Sequence, residues 1–437
     1  MLRGLKWSPK HVSGASGETS SKAVVVMLEQ PGFGRRLRQL RLQQGKTQAE
    51  LTGPGMSAAY LSRLESGARF PTQRAVDYLA ERLGIPVEIF AERTEDDLVD
   101  VVATLASRSD GERDAETRDL LVDALARATD VDPTTRWQAL ALLAQLHASR
   151  GEFPEECEVL DTLDVLSREL ARPALQVYTR QRVARCARNR GDVELARRAV
   201  REALELGERH RVRVPAADLL RSRLLLVSAE TELGNVAEAT RIVLDILDAL
   251  PAERGALTAE AYWTAATVST RQGDSEEARR YLDKAIDALD SREDITLWMR
   301  LRLGAASLCL QSLPPRLERA QALLTAVEPV LDFAGPPRHR QEFLFLQAQL
   351  AFQSGDSDRA AAFVAEAEEG LQLLTYRDRI RFRTLQEMLA ARAGDLHAVA
   401  RLNELATEVQ RTQMLELAAE VWRAAAECAV ETLSPTA

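Results

Sequence analysis

The sequence holds only four cysteines in 437 residues, Cys157, Cys186, Cys309 and Cys428, and no two form a CxxC pair. That excludes a disulfide framework and a cysteine-built zinc module, and it fits a reducing, cytoplasmic setting. The five histidines are equally scattered, so no metal-ligand spacing arises and no metal or cofactor is expected. Aromatics make up 5% of the residues, while Ala, Leu and Arg abound, a balance that favours helix over strand. No apolar run approaches the roughly 18 residues that a membrane span requires. The run "AVVVML" at 23–28 is too short for a signal sequence. A Walker loop, a GxSxG elbow and an HExxH helix are all missing, so no catalytic residue is assigned and the chain is not expected to be an enzyme.

What is present is length and an uneven charge. A chain of this length exceeds one ordinary core, so several domains or a repeat array are expected. The net charge is −9. Residues 33–93 carry ten Lys/Arg against six Asp/Glu, a net +4, and residues 1–32 carry +2, which leaves −15 on the remainder. A small basic module joined to a large acidic one points to a polyanion partner for the small module only. Residues 1–30 read as a disordered tail, within which Met27 is a candidate natural start.

Residues 31–92 form the first domain. Phe33, Leu37 and Leu40 line one helical face, and Gly45 ends that helix. "TQAEL" at 47–51 begins a second helix, with Thr47 and Glu50 spaced as a capping box. "TGPG" at 52–55 stops it early. "MSAAYLSRLESG" at 56–67 is a third helix with Ser57 as cap and Gly67 as stop. Residues 72–83 and 86–90 supply a fourth and a fifth. Five short helices with a tight turn before the third is the helix-turn-helix pattern. Three segments in order, "FGRRLRQLRLQQGKTQAEL", "MSAAYLSRLESGARFPT" and "AVDYLAERLGIPVEIF", resemble the lambda-repressor-like (Cro/C1, XRE-type) helix-turn-helix family.

That resemblance implies roles. Ser57, Ala58, Ala59, Ser62 and Arg63 would occupy the base-reading face of the third helix in the major groove. The two alanines permit close approach and thymine-methyl contact, which leaves polar readout to Ser57, Ser62 and above all Arg63. Gln48, Arg69, Tyr60, Arg36 and Arg38 are phosphate candidates. Tyr60 is equally a packing residue, and Arg36 and Arg38 are equally a solvated face. Arg41 and Glu65 match a structural ion pair. Here "TGPGM" is about one residue shorter than the family pattern, so the second helix should be clipped.

Residues 93–133 read as connecting helices, and residues 134–437 as the second domain. Gly-Asp-like turns recur at Gly151, Gly191, Gly234, Gly273, Gly355 and Gly394, with Pro315 filling the one gap, a spacing near 40. Small residues follow five positions later (Ala196, Ala239, Ala278, Ala320, Ala360) and twelve later (Ala203, Ala285, Ala367, Ala406). Others precede the turn by seven (Ala144, Ala184, Ala266, Ala348). Glu156 and Val399 break the five-after rule at the two ends. Such a period marks a helical-hairpin solenoid. It resembles tetratricopeptide repeats, which imply a right-handed α-solenoid of about seven hairpins.

Counting back from each turn gives inward positions on the first helices: Tyr178, Gln181, Arg185, Arg188, Arg221, Trp263, Thr267, Arg302, Phe345, Gln349 and Arg381. Aromatics, Arg and Gln on one concave surface suit either a peptide or protein segment, or contacts within the protein itself. An XRE-type domain followed by such repeats resembles the peptide-sensing RRNPP class, although only Asn189 lies near the mapped surface where that class often uses Asn. The expectation is an all-α, cytoplasmic, nucleoid-associated transcriptional regulator that binds a near-palindromic operator on double-stranded DNA as a homodimer. A signalling peptide or protein in the groove would modulate it, without a membrane partner. The alternative is an interaction scaffold whose helix-turn-helix has lost sequence-specific DNA binding.

Overall fold

The computed structural model describes residues 32–90, 95–107, 115–128, 131–250 and 254–433; the expected tail at 1–30, with Met27, lies outside them. Twenty α-helices and no strand occur among the described residues, and none of those helices is long and apolar enough to cross a membrane. The chain divides into two compact units, Met1–Val101 with Asp123–Val131, and Val102–Val122 with Asp132–Ala437. The division runs through α4 (Glu95–Ala106) and α5 (Ala115–Arg127).

The first unit contains α1 (Gly32–Gln43), α2 (Ala58–Glu65) and α3 (Gln73–Leu83). The expected second and fifth helices are instead single 3₁₀ turns, Ala49–Leu51 and Val87–Phe90. The sequence "TGPG" explains the first of these. Gly53 and Met56 exchange two backbone hydrogen bonds (3.0 and 2.9 Å) around Pro54-Gly55. Gly55 takes φ +87°, as the third residue of a Pro-Gly turn must. A helix cannot pass through that turn. The Glu50 carboxylate accepts from the Thr47 amide (2.6 Å) and the Thr47 hydroxyl (2.7 Å), which fixes the turn's start. Leu37, Leu51, Leu61, Leu64, Val76 and Leu79 are fully buried between the helices.

Seven hairpins form the second unit: α6 (Pro133–Arg150) with α7 (Phe153–Glu169), α8 (Pro173–Arg190) with α9 (Val193–Arg209), α10 (Ala216–Glu232) with α11 (Val236–Asp248), α12 (Ala256–Gln272) with α13 (Ser275–Asp287), α14 (Ile295–Gln311) with α15 (Leu317–Ala334), α16 (Pro337–Gln353) with α17 (Ser357–Glu368), and α18 (Tyr376–Arg392) with α19 (Ala398–Arg411). A single helix, α20 (Leu415–Leu433), follows.

The Gly-Asp dyad works as two caps in two residues. All six turn glycines have φ between +73° and +93°, the left-handed conformation that closes a helix. The next residue opens the second helix: the Asp192, Asp274 and Asp356 carboxylates accept from the amides three positions on (3.0, 2.9 and 3.1 Å). The alanines at the three fixed offsets are all 5% exposed or less, as close helix approach requires. Glu156 replaces one of them yet is 1% exposed, its charge met by Arg182 at 2.8 Å. At the last hairpin the register moves by one: Ala398 is the buried small residue and Val399 is half-buried.

The array also touches itself across its inner face. α16 meets α6, and α18 meets α8. Gly191 lies against the Tyr376 ring so closely that an added Cβ would sit 2.7 Å from it. Val193, Ala229 and Ile380 share one apolar cluster with residues of α19 and α20.

Candidate functional site

In the first unit one helix face is free and its back is pinned. Ser57, Ala58, Ala59, Ser62 and Arg63 are all exposed along α2. The Ser57 side chain caps this helix by accepting from the Tyr60 amide (3.2 Å). Behind that face, Arg41 of α1 donates to both oxygens of Glu65 (2.6 and 3.0 Å), and both residues are buried. Arg41 also donates to the Lys46 carbonyl (2.9 Å). The Glu65 carboxylate lifts the Arg41 pKa by its hydrogen bond, against the opposing effect of burial.

The phosphate candidates fall into two groups. Arg38 and Arg69 are exposed. Arg69 lies 5.0 Å over the Tyr60 ring, and Tyr60 is half-buried against the core. Gln48 is half-buried and donates to Glu65 (2.6 Å), and Arg36 donates to the Ile89 carbonyl (3.3 Å). These two side chains brace the module from within.

The inner face of the second unit is charged rather than aromatic. The Glu232 carboxylate meets Arg188 (2.7 Å) and Arg377 (3.4 Å). Glu416 meets Arg271 (3.1 Å) and Arg377 (3.7 Å). Glu420 meets Arg271 and Arg381, both at 2.9 Å. The Gln311 side-chain oxygen accepts from Arg271 (3.1 Å) and Arg381 (2.8 Å). This network joins α8, α10, α12, α14, α18 and α20. Burial would push the Glu420 carboxyl up, but Arg381 and Arg271 outweigh it and hold it at about 2.

Two mapped groove positions, Phe345 and Arg302, are placed elsewhere, and most of the others are held by neighbouring side chains. Phe345 is 1% exposed and packs on Phe382 in the core, so it lines no groove. Arg302 stacks over Trp298 at 3.7 Å, and the charges it feels are those of Arg319 and Asp287 on the second helices. Gln181 is buried and tied to the Asp218 carbonyl (2.6 Å) and the Ser222 hydroxyl (2.8 Å), which links α8 to α10. Arg381 is buried in the network. Tyr178 is half-buried, edge-on to Trp137. Trp263 packs against Gly304, with Arg300 over its ring at 5.5 Å. Arg221 approaches Glu260 (3.7 Å), which also holds Arg300 (2.8 Å). Thr267 donates to the Trp263 carbonyl in its own helix (3.1 Å).

Residues 33–92 match the helix-turn-helix domain family, and residues 259–288 match the tetratricopeptide repeat family. The chain joins a helix-turn-helix domain to a tetratricopeptide array. By fold it is similar to NprR, solved in complex with its cognate peptide NprX, at 15% identity over 78% of this chain and 94% of that one, TM-score 0.53. It is also similar to a Rap protein complexed with competence and sporulation factor, at 11% identity over 94% and 99% of the two chains, TM-score 0.50. No curated protein matches the chain.

Counting from the turns missed much of the tetratricopeptide array's inner surface. Glu260, Arg271, Arg300, His339, Glu342, Arg377, Glu416 and Glu420 face it or join its network. A signal existed in charge spacing: Arg377 and Arg381, like Glu416 and Glu420, stand four apart, one above the other on a helix. Among the described residues no cluster of three His, Cys, Asp or Glu side chains could hold a metal ion.

Proposed function

We propose that the protein is a DNA-binding transcriptional regulator: its helix-turn-helix reads a near-palindromic operator as a homodimer, and its tetratricopeptide array takes a peptide or protein segment that modulates binding. The observation that carries this reading is the exposed Ser57–Arg63 face of α2, braced from behind by Arg41, Glu65 and Gln48. A pinned helix with a free polar face can enter a major groove without losing its orientation. In this reading Arg38 and Arg69 meet phosphates, while Arg36 and Gln48 hold the module together. The peptide element draws support from the two similar solenoids, each solved with a bound partner.

The dimer draws support from α20. Here Leu415, Ala419, Trp422, Ala426 and Val430 are exposed at spacings of four, three, four and four, an apolar stripe along one side. That spacing suits pairing with a second helix of the same kind. Trp422→Glu should convert the dimer to a monomer in sedimentation velocity; a wild-type monomer at micromolar concentration would remove this element.

The clipped second helix favours the scaffold alternative. A mobility-shift titration at low salt over the protein's own promoter separates the two. A discrete complex on that DNA but not on unrelated sequence supports the regulator; folded protein that gives none supports the scaffold.

A further inference from the structure

The charged side chains of the inner-face network are paired, but among the described residues several unpaired groups gather around Arg300. Arg185 of α8 is half-buried and, among the described residues, has no hydrogen-bond or ion-pair partner. Its electrostatic neighbours are mainly other arginines: Arg300, Arg182 and Arg188, with Glu260 the one carboxylate. Those three arginines are already engaged, Arg182 by Glu156, Arg188 by Glu232 and Arg300 by Glu260. Arg185 alone is left over. Burial, and then Arg300, pulls its guanidinium down to about 10.

Arg300 is the hub of a second set of unmatched groups on α16. Glu342 lies within the field of Asp378, Arg338 and Arg300 and, among the described residues, has no hydrogen-bond or ion-pair partner. The buried His339 Nδ1 beside them has no hydrogen-bond partner either. An unpartnered guanidinium, carboxyl and imidazole on one inner surface cost stability as they stand. Each is satisfied by a ligand that brings an anion together with amide donors and acceptors.

We propose that this part of the array binds a short peptide through a carboxylate, with Arg185 as the residue that pairs with it. This rests on the reading of the array as a peptide-binding surface. A guanidinium presents two parallel N–H donors that match a carboxylate. A singly charged group fits better than a phosphate, because Glu260 and Asp378 already stand on the same surface. The peptide backbone supplies both donor and acceptor for Glu342 and His339. The carboxylate comes from the peptide's C-terminus or from an Asp or Glu side chain.

The test uses the full chain and synthetic random heptapeptide pools. One pool has free C-termini without Asp or Glu, one is C-terminally amidated with Asp and Glu, and one is amidated without either. Retention by the protein is read by ultrafiltration and mass spectrometry. Either carboxylate pool should be retained on the order of tenfold or more over the pool with none, and which of the two is retained names the source. Arg185→Gln should abolish that preference and Arg185→Lys should keep part of it. Because Arg185 has no partner to lose, Arg185→Gln should also leave the melting temperature unchanged or raised. Equal retention of all pools, a preference that survives Arg185→Gln, or a melting temperature lowered by that substitution would each overturn the proposal. Retention of no pool at all would remove the peptide reading along with it.

Discussion

Arg41 and Glu65 carry the orientation of α2, because their paired charges are buried and Gln48 is fastened to the same carboxylate. Glu65→Ala leaves a buried guanidinium unmatched, at about 3–5 kcal/mol. The first unit should therefore melt earlier and DNA affinity should fall, as measured by calorimetry and fluorescence anisotropy. Arg63 is exposed at the far side, so Arg63→Ala should leave melting unchanged. It should cost about 1–3 kcal/mol on the preferred site and relax base choice at one position. Equal weakening on every sequence would make Arg63 a phosphate contact. At this scale the sequence reveals the type of residue better than its direction. Arg41 and Glu65 stand out because their motif fixes both ends. Phe345 and Arg302 do not, because one register count cannot tell an inner face from the flank beside it.

At the scale of the element, the six turn glycines share a backbone conformation but not a neighbourhood. An added Cβ at Gly273 meets nothing within 4 Å, whereas at Gly191 it meets the Tyr376 ring at 2.7 Å. Gly273→Ala should cost roughly 1–2 kcal/mol, the strain of left-handed backbone alone. Gly191→Ala adds the collision and should cost clearly more. Chemical denaturation of the two variants side by side checks this, and equal losses would count against the contact with α18. The hairpins themselves are legible in the sequence, since a left-handed Gly followed by a capping Asp ends one helix and starts the next. The second helix of the first unit is less so. Its capping pattern is present, but Pro54-Gly55 diverts the chain after one 3₁₀ turn.

At the scale of the whole molecule, charge buried inside the array makes stability depend on pH with opposing signs. Glu420 is held at about 2 against an ordinary 4.5, so its contribution is complete above 4.5 and lost as pH falls toward 2. His339 is pulled down to about 3 from 6.5 by burial, then by Arg338 and Arg300. The unfolded chain takes up that proton first, so stability falls as pH drops below 6.5. Glu342 is pushed up to about 7 by burial and by Asp378. It retains a proton that the unfolded chain releases above 4.5, so its contribution grows as pH falls from 7 to 4.5. Between about 4.5 and 6.5 the last two oppose each other. The melting temperature should stay nearly level there and drop below 4.5. In Glu342→Gln the decline should begin near 6.5; an unchanged onset would mean Glu342 does not hold its proton. Beyond the spacing of Glu416 and Glu420, little of this is legible in a sequence whose charges look like ordinary solvated faces until coiling brings distant helices together. Arg271 and Glu420 are 149 positions apart and bonded at 2.9 Å. An array that touches only its neighbours unravels piece by piece from either end. Long-range ties of this kind oblige early and late parts of the array to form together, which slows folding and turns unfolding into one cooperative step.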